Sequence, residues 1–467
     1  MTQEIHLVVL VHGLWGTIHH FDYVAGELAS KKGAIIHDHP DHPLVVPPGV
    51  SSDSPIIVVY RTHSNEGYFT YDGVDVCGAR VAAEIENELA ALNNSASVPS
   101  GEPIRKVTKI SIAGYSLGGL ISRYAIGLLY KRGVFDTVKP VSYTTFCSPH
   151  VGVSVLGSRF SARAFNFVGK YSMSSTSRQL FLADNYQSTK VPLLEYMSHH
   201  DSPFYEGLKS FPSHTLYANI INDHRCEYYT SAIETEDPFA GRVSTSVGPY
   251  VEGYEPTVLD LVSSGGPLFE DKSANKQDTR ATGLFDRLKN VFRRAAGYVF
   301  LGVKVLVIVP LWFMAFLLNA AYQTIASSSR QRIFRKTDEH LSLLFNGGDQ
   351  PSMSEILEDE ADEVVESMYE TFSKRPQEEE PLLKRASRTV DDLESELPAT
   401  HGQSEQLPVL PVHRTIIANL NALNWNKYPI HITLAKHSHA AVIVRFPNDK
   451  FREGKTVISH WISSIEW

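Results

Sequence analysis

The chain of 467 residues carries 43 basic and 52 acidic side chains, which gives a formal net charge of −9 at neutral pH. That balance argues against a general nucleic-acid partner, because phosphate backbones are held by broadly basic surfaces. Hydrophobic residues make up 43% of the chain and charged residues 20%, the usage of a globular protein that can bury a sizeable core.

The cysteines and the N-terminus bear on the compartment. Cys77, Cys147 and Cys226 are widely spaced and form no C-x-x-C pair, which favours a reducing compartment over a disulfide framework or a zinc site. The first apolar run, 7–11, has no basic stretch before it, so we expect no signal peptide. We therefore expect cytosolic exposure, and neither a metal nor a cofactor.

Strand-like and helix-like patterns alternate over the first half of the chain. Amphipathic spacing predicts helices at 76–92 and 119–130. Because strands alternate with helices, we expect an α/β fold with a mostly parallel, doubly wound sheet. Short apolar, β-branched runs predict strands at 5–11, 55–61, 106–114, 140–149 and 214–223.

The composition divides the chain into three parts. Residues 1–262 form the expected core, 263–409 an insertion, and 410–467 a C-terminal part that completes the core. Within the insertion, acidic runs such as EDEADE predict a disordered linker over 355–405. In the C-terminal part we expect a helix over 416–423 and strands over 428–435 and 440–446.

One pentapeptide carries the strongest chemical signal. Residues 114–118 read GYSLG, a G-x-S-x-G motif that follows an apolar strand and precedes a helix. In that context the serine sits on a sharp strand-to-helix turn, and glycines avoid clashes with the strained backbone. The motif predicts that Ser116 is a nucleophile and that the Leu117 amide, at the helix N-terminus, stabilises an oxyanion.

A second turn fits the same chemistry. Residues 11–16 read VHGLWG and end the first strand. Hydrolases with a serine in a G-x-S-x-G motif place another oxyanion donor in such a turn. We assign that donor to the Leu14 amide. The His12 ring is expected to hold the turn rather than to abstract a proton.

Several longer stretches resemble a known family, the putative serine esterases, and most closely its fungal branch of lipid-droplet phospholipases and related lipases. The resemblance spans about 4–260 and resumes at 410–446. It implies an α/β-hydrolase fold and a lipase or phospholipase activity. The stretches that carry it are VHGLWG, TYDGVDVCGARVAAEI, IAGYSLGGLISRYAIG, FCSPHVG and LYANIINDHRCEYYTSAI.

A serine nucleophile needs a general base that is oriented by a carboxylate, and in this fold the chain order is Ser, acid, His. Asp223 follows a late strand and is the preferred acid, with Asp184 as its rival. The family resemblance implies a valine and a proline shortly after this acid, where this chain has Cys226 and Glu227.

The base must follow the acid in the chain, on a loop after a strand. His437 and His439 both meet that condition, and SHAAVIVR resembles the family's C-terminal motif at His439. His439 is therefore the predicted base, whereas His431, inside the predicted strand, is expected to be structural.

The insertion contains an apolar segment, 298–322, which is long enough to span a bilayer because about 20 residues suffice. A single pass would separate Asp223 from His439, so we expect a hairpin, an in-plane helix or a lid. Pro310 lies near its middle and favours a bend. Basic residues flank both ends and favour an anionic, cytosolic surface: Arg287, Lys289, Arg293, Arg294, Arg330, Arg332, Arg335 and Lys336.

The expected function is hydrolysis of acyl esters of lipids at the cytoplasmic face of a membrane, of the endoplasmic reticulum or of a lipid droplet. A small-ester carboxylesterase, an acyltransferase with the same triad and a non-catalytic membrane scaffold remain alternatives. Protein partners cannot be inferred. Lys384 and Arg385 precede Ser387 in a pattern that resembles a kinase site, although an ordinary disordered segment is the favoured interpretation.

Overall fold

The molecule is known from a computed structural model. Its described part comprises residues 2–51, 54–94, 103–156, 160–186, 189–240, 246–261, 265–270, 309–336, 405–406 and 409–467.

Seven strands form one sheet in the order β7-β6-β5-β4-β1-β3-β2, and every neighbouring pair is parallel. The predicted α/β fold with a mostly parallel sheet is confirmed. Two small antiparallel ribbons lie outside this sheet, 236–237 with 405–406 and 246–248 with 268–270. The strands are β1 (Thr2–Val11), β2 (Ile35–Ile36), β3 (Ile56–Arg61), β4 (Ile104–Tyr115), β5 (Lys139–Phe146), β6 (Ser213–Asn219) and β7 (Trp425–Ile430).

The helices of the described residues pack around this sheet, and a short 3-10 turn, Gly67–Asp72, lies beside the C-terminal end of β1. The α-helices are α1 (Asp22–Lys32), α2 (Val74–Asn93), α3 (Leu117–Lys131), α4 (Phe160–Gly169), α5 (Ser174–Leu180), α6 (Leu193–Tyr196), α7 (Pro203–Lys209), α8 (Tyr228–Ala232), α9 (Val309–Lys336), α10 (Pro411–Asn421), α11 (Ser438–Ala441) and α12 (Arg452–Ser464).

The core has two layers, one on each face of the sheet. Alternate side chains of β1 supply both: Val9 belongs to the layer with α2 and α3, and Leu10 to the layer with α1 and α12. Both side chains are fully buried. Burial of each such side chain contributes about 1.5–3 kcal/mol to the free energy of folding, so helices must shield both faces of this strand from water.

The C-terminal part completes the sheet. β7 pairs with β6 in parallel and places Tyr428 beside Tyr217. The predicted strand over 440–446 is wrong, because the chain there forms α11 and then turns at Val444, whose φ is 54°. A short buried apolar run has no periodicity that separates a strand from a packed turn, and this run lies in the core layer of α12.

The described part of the apolar segment is helical. Helix α9 spans Val309–Lys336 and includes Pro310 in its first described turn, so the predicted bend at Pro310 stays a prediction. Residues 298–308 and the predicted acidic linker up to 404 lie outside the described residues, as does Ser387. Among the helices that are described, none combines the length and apolar character needed to cross a membrane.

Candidate active site

Ser116 lies between the last residue of β4 and the first residue of α3, with φ 54° and ψ −128°. Such a backbone is strained for a residue with a side chain and persists only where its surroundings hold it. Two glycines permit the turn. A Cβ on Gly118 would lie 2.1 Å from the carbonyl oxygen of Val11, and one on Gly114 would lie 2.5 Å from the Cα of Gly119. The motif glycines are therefore required by close backbone contacts.

The turn after β1, residues 12–16, lies directly against the serine and is called the oxyanion loop below. A Cβ on Gly13 would lie 2.8 Å from the Cβ of Ser116. The His12 Nδ1 atom donates to the Gly13 carbonyl oxygen at 3.0 Å, and burial lowers the pKa of His12, so that a neutral ring can hold the turn. Leu14, whose amide is the predicted oxyanion donor, is the next residue along this loop.

Leu117 is the first residue of α3, and its side chain is buried. The first amides of an α-helix have no partner within the helix. The N–H group of Leu117 therefore points out of the helix N-terminus beside Ser116, where the helix dipole favours negative charge.

The structure brings Ser116, His439 and Asp223 together. The His439 Nε2 atom lies 2.9 Å from Ser116 Oγ, and its Nδ1 atom lies 2.9 Å from Asp223 Oδ2. The side chains of His439 and Asp223 are 8% and 2% exposed, so both bonds are largely shielded from water. An imidazole between a hydroxyl and a carboxylate can accept the hydroxyl proton while the carboxylate stabilises the cation that forms.

Asp223 is held as a carboxylate. Burial alone would raise its pKa, but the charge of His439 and hydrogen bonds from His439, Asn219 and the Cys226 amide together lower the pKa below its ordinary value. The Asn219 Nδ2 atom donates to Oδ2 at 2.8 Å, and the Cys226 amide donates to Oδ1 at 2.9 Å. Every residue type except proline offers that amide, so the departure from the family pattern leaves the acid supported.

The rival residues lie in other contacts. Asp184 accepts a hydrogen bond from the Leu193 amide at 3.0 Å, and burial raises the pKa of its carboxyl group. His437 is the N-terminal flanking residue of α11, two positions before His439. His431 follows the end of β7 and pairs through Nδ1 with the Tyr250 hydroxyl at 3.0 Å, which agrees with a structural role.

Three supporting residues were missed at the sequence level. The Tyr115 hydroxyl donates to the His439 carbonyl oxygen at 3.1 Å, and the Ser438 hydroxyl donates to the Ile221 carbonyl oxygen at 2.8 Å. Asn219, at the end of β6, supports Asp223. Tyr115 and Asn219 stand inside recognisable motifs, GYSLG and LYAN, but nothing in the motifs states which distant group each side chain meets.

Cys147 is a further neighbour of the pair. Its Sγ atom and ligand atoms of Asp223 and His439 lie within 4.8 Å of one another, which is a spacing that a metal ion could use. Hydrogen bonds already explain this cluster, because Asp223 and His439 bind each other and Asn219 donates to the Cys147 sulfur at 3.1 Å. All three cysteines of the chain are buried and unpaired.

A strained serine at a strand-to-helix turn, facing a histidine, is the arrangement found in serine hydrolases. The family model of the putative serine esterases matches residues 1–234 of this chain. The chain therefore belongs to the putative serine esterase family.

Curated relatives from yeasts carry related names. The chain is 26% identical over 253 residues to the putative lipase C4A8.10 of Schizosaccharomyces pombe, a match that covers 53% of this chain and 28% of that protein. It is 28% identical over 236 residues to the putative lipase ROG1 of Saccharomyces cerevisiae, which covers 50% of this chain and 29% of the relative. The chain thus spans less than a third of either relative.

A solved structure, a putative cell surface hydrolase of Lactobacillus plantarum WCFS1, is 15% identical with a TM-score of 0.26. That match covers 49% of this chain and 74% of the other. A likeness of this size carries no weight for the fold or the function.

Proposed function

We propose that this protein hydrolyses carboxylic esters, with Ser116 as nucleophile, His439 as general base and acid, and Asp223 as the carboxylate that orients the histidine. The observation that carries the proposal is the pair of 2.9 Å contacts from His439 to Ser116 Oγ and to Asp223 Oδ2. The strained backbone of Ser116 supports it, because strain of this kind gathers at functional sites.

The chemistry follows from these positions. Ser116 Oγ attacks the ester carbonyl carbon while His439 Nε2 accepts its proton, and the resulting oxyanion accepts hydrogen bonds from the Leu14 and Leu117 amides. His439 then gives the proton to the departing alcohol, which leaves an acyl-serine. Water, deprotonated by the same nitrogen, attacks the acyl carbon, and the carboxylic acid leaves as Ser116 regains its proton.

A lipid ester is the proposed substrate class, and phospholipids and neutral lipids are the two candidates within it. The yeast relatives are named putative lipases. Helix α9 adds an argument from this chain, because large apolar side chains recur along one exposed face. Their spacing of three or four residues gives a continuous stripe that a lipid surface would cover. The stripe consists of Met314 (55% exposed), Leu318 (67%), Tyr322 (67%) and Ile325 (68%).

We extend this proposal to location. The apolar segment 298–322, of which α9 contains the last part, would rest on the cytoplasmic face of a membrane or on a lipid droplet. A monolayer-covered droplet has no second aqueous side, so such a segment would keep Asp223 and His439 on the same side of the lipid.

The activity is tested with Ser116→Ala. We expect the variant to fold like wild type, to lose ester hydrolysis by about 10⁶-fold in kcat, and to lose labelling by a fluorophosphonate probe. Ser328→Ala is the matched control, since Ser328 is an exposed serine of α9 whose hydroxyl donates to the Thr324 carbonyl oxygen of the same helix. Hydrolysis that survives in Ser116→Ala would refute the assignment. A panel of phospholipids, acylglycerols and short soluble esters then ranks the substrates, and a requirement for an alcohol acceptor would identify an acyltransferase.

The lipid surface is tested with the double variant Leu318→Asn, Ile325→Asn. We expect less protein to float with vesicles of phosphatidylcholine and phosphatidylserine, because two apolar side chains leave the stripe. Ser328→Asn on the same helix is the control. Equal flotation of the double variant and wild type would refute a lipid role for this face.

A further inference from the structure

We propose that Arg330 and Asp72 are positioning residues for the oxyanion loop, so that full turnover requires helix α9 to be docked on the Gly67–Asp72 turn. The inference rests on the proposed ester hydrolysis. It links the helix that carries the exposed apolar stripe to the loop that carries the Leu14 amide.

Arg330 binds the turn in two ways. Its Nε and Nη2 atoms donate to the Asp72 carboxylate at 2.8–3.1 Å, and Nη2 also donates to the Tyr68 carbonyl oxygen at 3.1 Å. The Asp72 side chain is 0% exposed and that of Arg330 is 17% exposed. A forked guanidinium held by a buried carboxylate fixes both orientation and distance, which a single exposed ion pair does not.

The same guanidinium also packs on the turn. Its Cζ atom lies 4.9 Å from the centre of the Phe69 ring. One helical turn earlier, the buried Ser327 donates to the Tyr71 carbonyl oxygen at 3.3 Å. The contacts of α9 thus fall on Tyr68, Phe69, Tyr71 and Asp72 of this turn.

The Gly67–Asp72 turn also contacts the oxyanion loop. The Trp15 amide donates to Thr70 Oγ1 at 3.2 Å, and the Gly67 amide donates to the Gly16 carbonyl oxygen at 3.1 Å. The Trp15 and Tyr71 rings pack with their centres 6.2 Å apart. Leu14 stands between Trp15, which the turn fixes, and Gly13, which lies against Ser116.

This loop needs external support. Trp15 has a φ of 53°, a left-handed backbone that costs free energy for a residue other than glycine and persists only when neighbours enforce it. An oxyanion donor acts only while its N–H group stays at the right place, so a loosened turn would lower the rate without removing any reacting group.

Loss of the Arg330 side chain would not leave the buried Asp72 carboxylate without a partner. Arg80 also donates to Asp72, at 2.7 Å, and is itself 4% exposed, so the carboxylate keeps a partner when Arg330 is absent. Thr176 of α5 donates to the Thr70 carbonyl oxygen at 2.6 Å and accepts from the Gly73 amide, which also preserves the turn. Loss of Arg330 should therefore loosen the positioning and leave the fold intact.

The test compares Arg330→Met, Arg330→Lys and Arg332→Met with wild type on a short soluble ester in the absence of lipid. Arg332→Met is the matched control, because Arg332 is an exposed arginine of the same helix. For Arg330→Met we expect kcat to fall about tenfold with KM unchanged, a part of what loss of a whole oxyanion donor costs. Fluorophosphonate labelling should slow in parallel, and Arg330→Lys should recover part of both rates.

Equal kcat values for Arg330→Met and Arg332→Met, with hydrolysis still dependent on Ser116, would overturn this inference and leave the proposed function standing. A rise in KM with kcat unchanged would also overturn it, because positioning of an oxyanion donor acts on the transition state. A wild-type protein that neither hydrolyses esters nor labels would refute the proposed function and this inference together.

Discussion

Ser116 and the two residues proposed to act with it, Asp223 and His439, reach their positions in different ways. Ser116 takes its geometry from neighbours in the chain, since the strand before it, the helix after it and the glycines that permit the turn all lie within 104–131. Asp223 and His439 are 216 positions apart and meet because β7 pairs with β6. The comparison teaches that one half of this site is a local structure and the other half depends on the whole sheet.

The difference extends to what holds each group. Ser116 is held by backbone contacts, among them the hydrogen bond from its amide to the Phe146 carbonyl oxygen at 2.9 Å. His439 depends on side chains from separate elements, among them Tyr115 at the end of β4 and Asp223 after β6. Substitutions can therefore test the long-range half one contact at a time.

The largest expected effect comes from His439. His439→Gln removes the group that bonds both Ser116 and Asp223, so kcat should fall by about 10⁶-fold in a steady-state ester assay. His437→Gln, two positions earlier, should keep most of the activity. A larger loss in His437→Gln than in His439→Gln would reverse the assignment of the base.

A smaller loss is expected from Asp223→Asn. The histidine would lose the carboxylate that fixes its tautomer and stabilises its charged form, so kcat should fall by about 10⁴-fold. Asp184→Asn serves as the control, because Asp184 caps a different segment through the Leu193 amide. If Asp184→Asn were the more damaging change to kcat while both variants stayed folded, Asp184 would be the acid.

The smallest expected effect tests the contact between the two halves. Tyr115→Phe removes the hydroxyl that donates to the buried His439 carbonyl oxygen. Thermal or urea unfolding should report a loss of about 1–3 kcal/mol, and kcat should fall less than in the preceding variants. An unchanged free energy of unfolding would show that this bond does not hold His439 in place.

Much of the fold could be predicted because its signals are local. The predicted strands at 5–11, 55–61 and 106–114 correspond to β1, β3 and β4, and the helix at 119–130 lies within α3. The strand predicted at 440–446 failed because Val442, Ile443 and Val444 are apolar for a different reason: they fill the core beneath α12 from a short helix and a turn. Apolar character records burial and leaves the backbone conformation open.

The candidate site also has residues that local sequence could indicate and residues that depend on long-range contacts. The residue types at Ser116, Leu14 and Leu117 could be singled out because a strand, a turn and a helix follow one another in the chain. Asp223 was preferred over Asp184 because it follows a late strand, and no motif indicated which groups Tyr115, Asn219 and Ser438 contact. Each of them depends on which distant atoms a side chain meets.

Arg330 shows what a sequence pattern leaves open. Its place after an apolar segment predicted that Arg330 faces an anionic membrane surface. That prediction was wrong for this residue, because Arg330 binds the buried Asp72. A charged side chain looks the same in a sequence whether it faces lipid, water or a buried partner.

The alternation of strands and helices, the mostly parallel sheet and the turn at Ser116 could be predicted because each follows from side chains a few positions apart. Which acid and which histidine lie beside that serine, and which arginine anchors α9, depends on long-range contacts. Those contacts join residues more than two hundred positions apart, and their geometry exists only once strand pairing and core packing have brought the backbone into place.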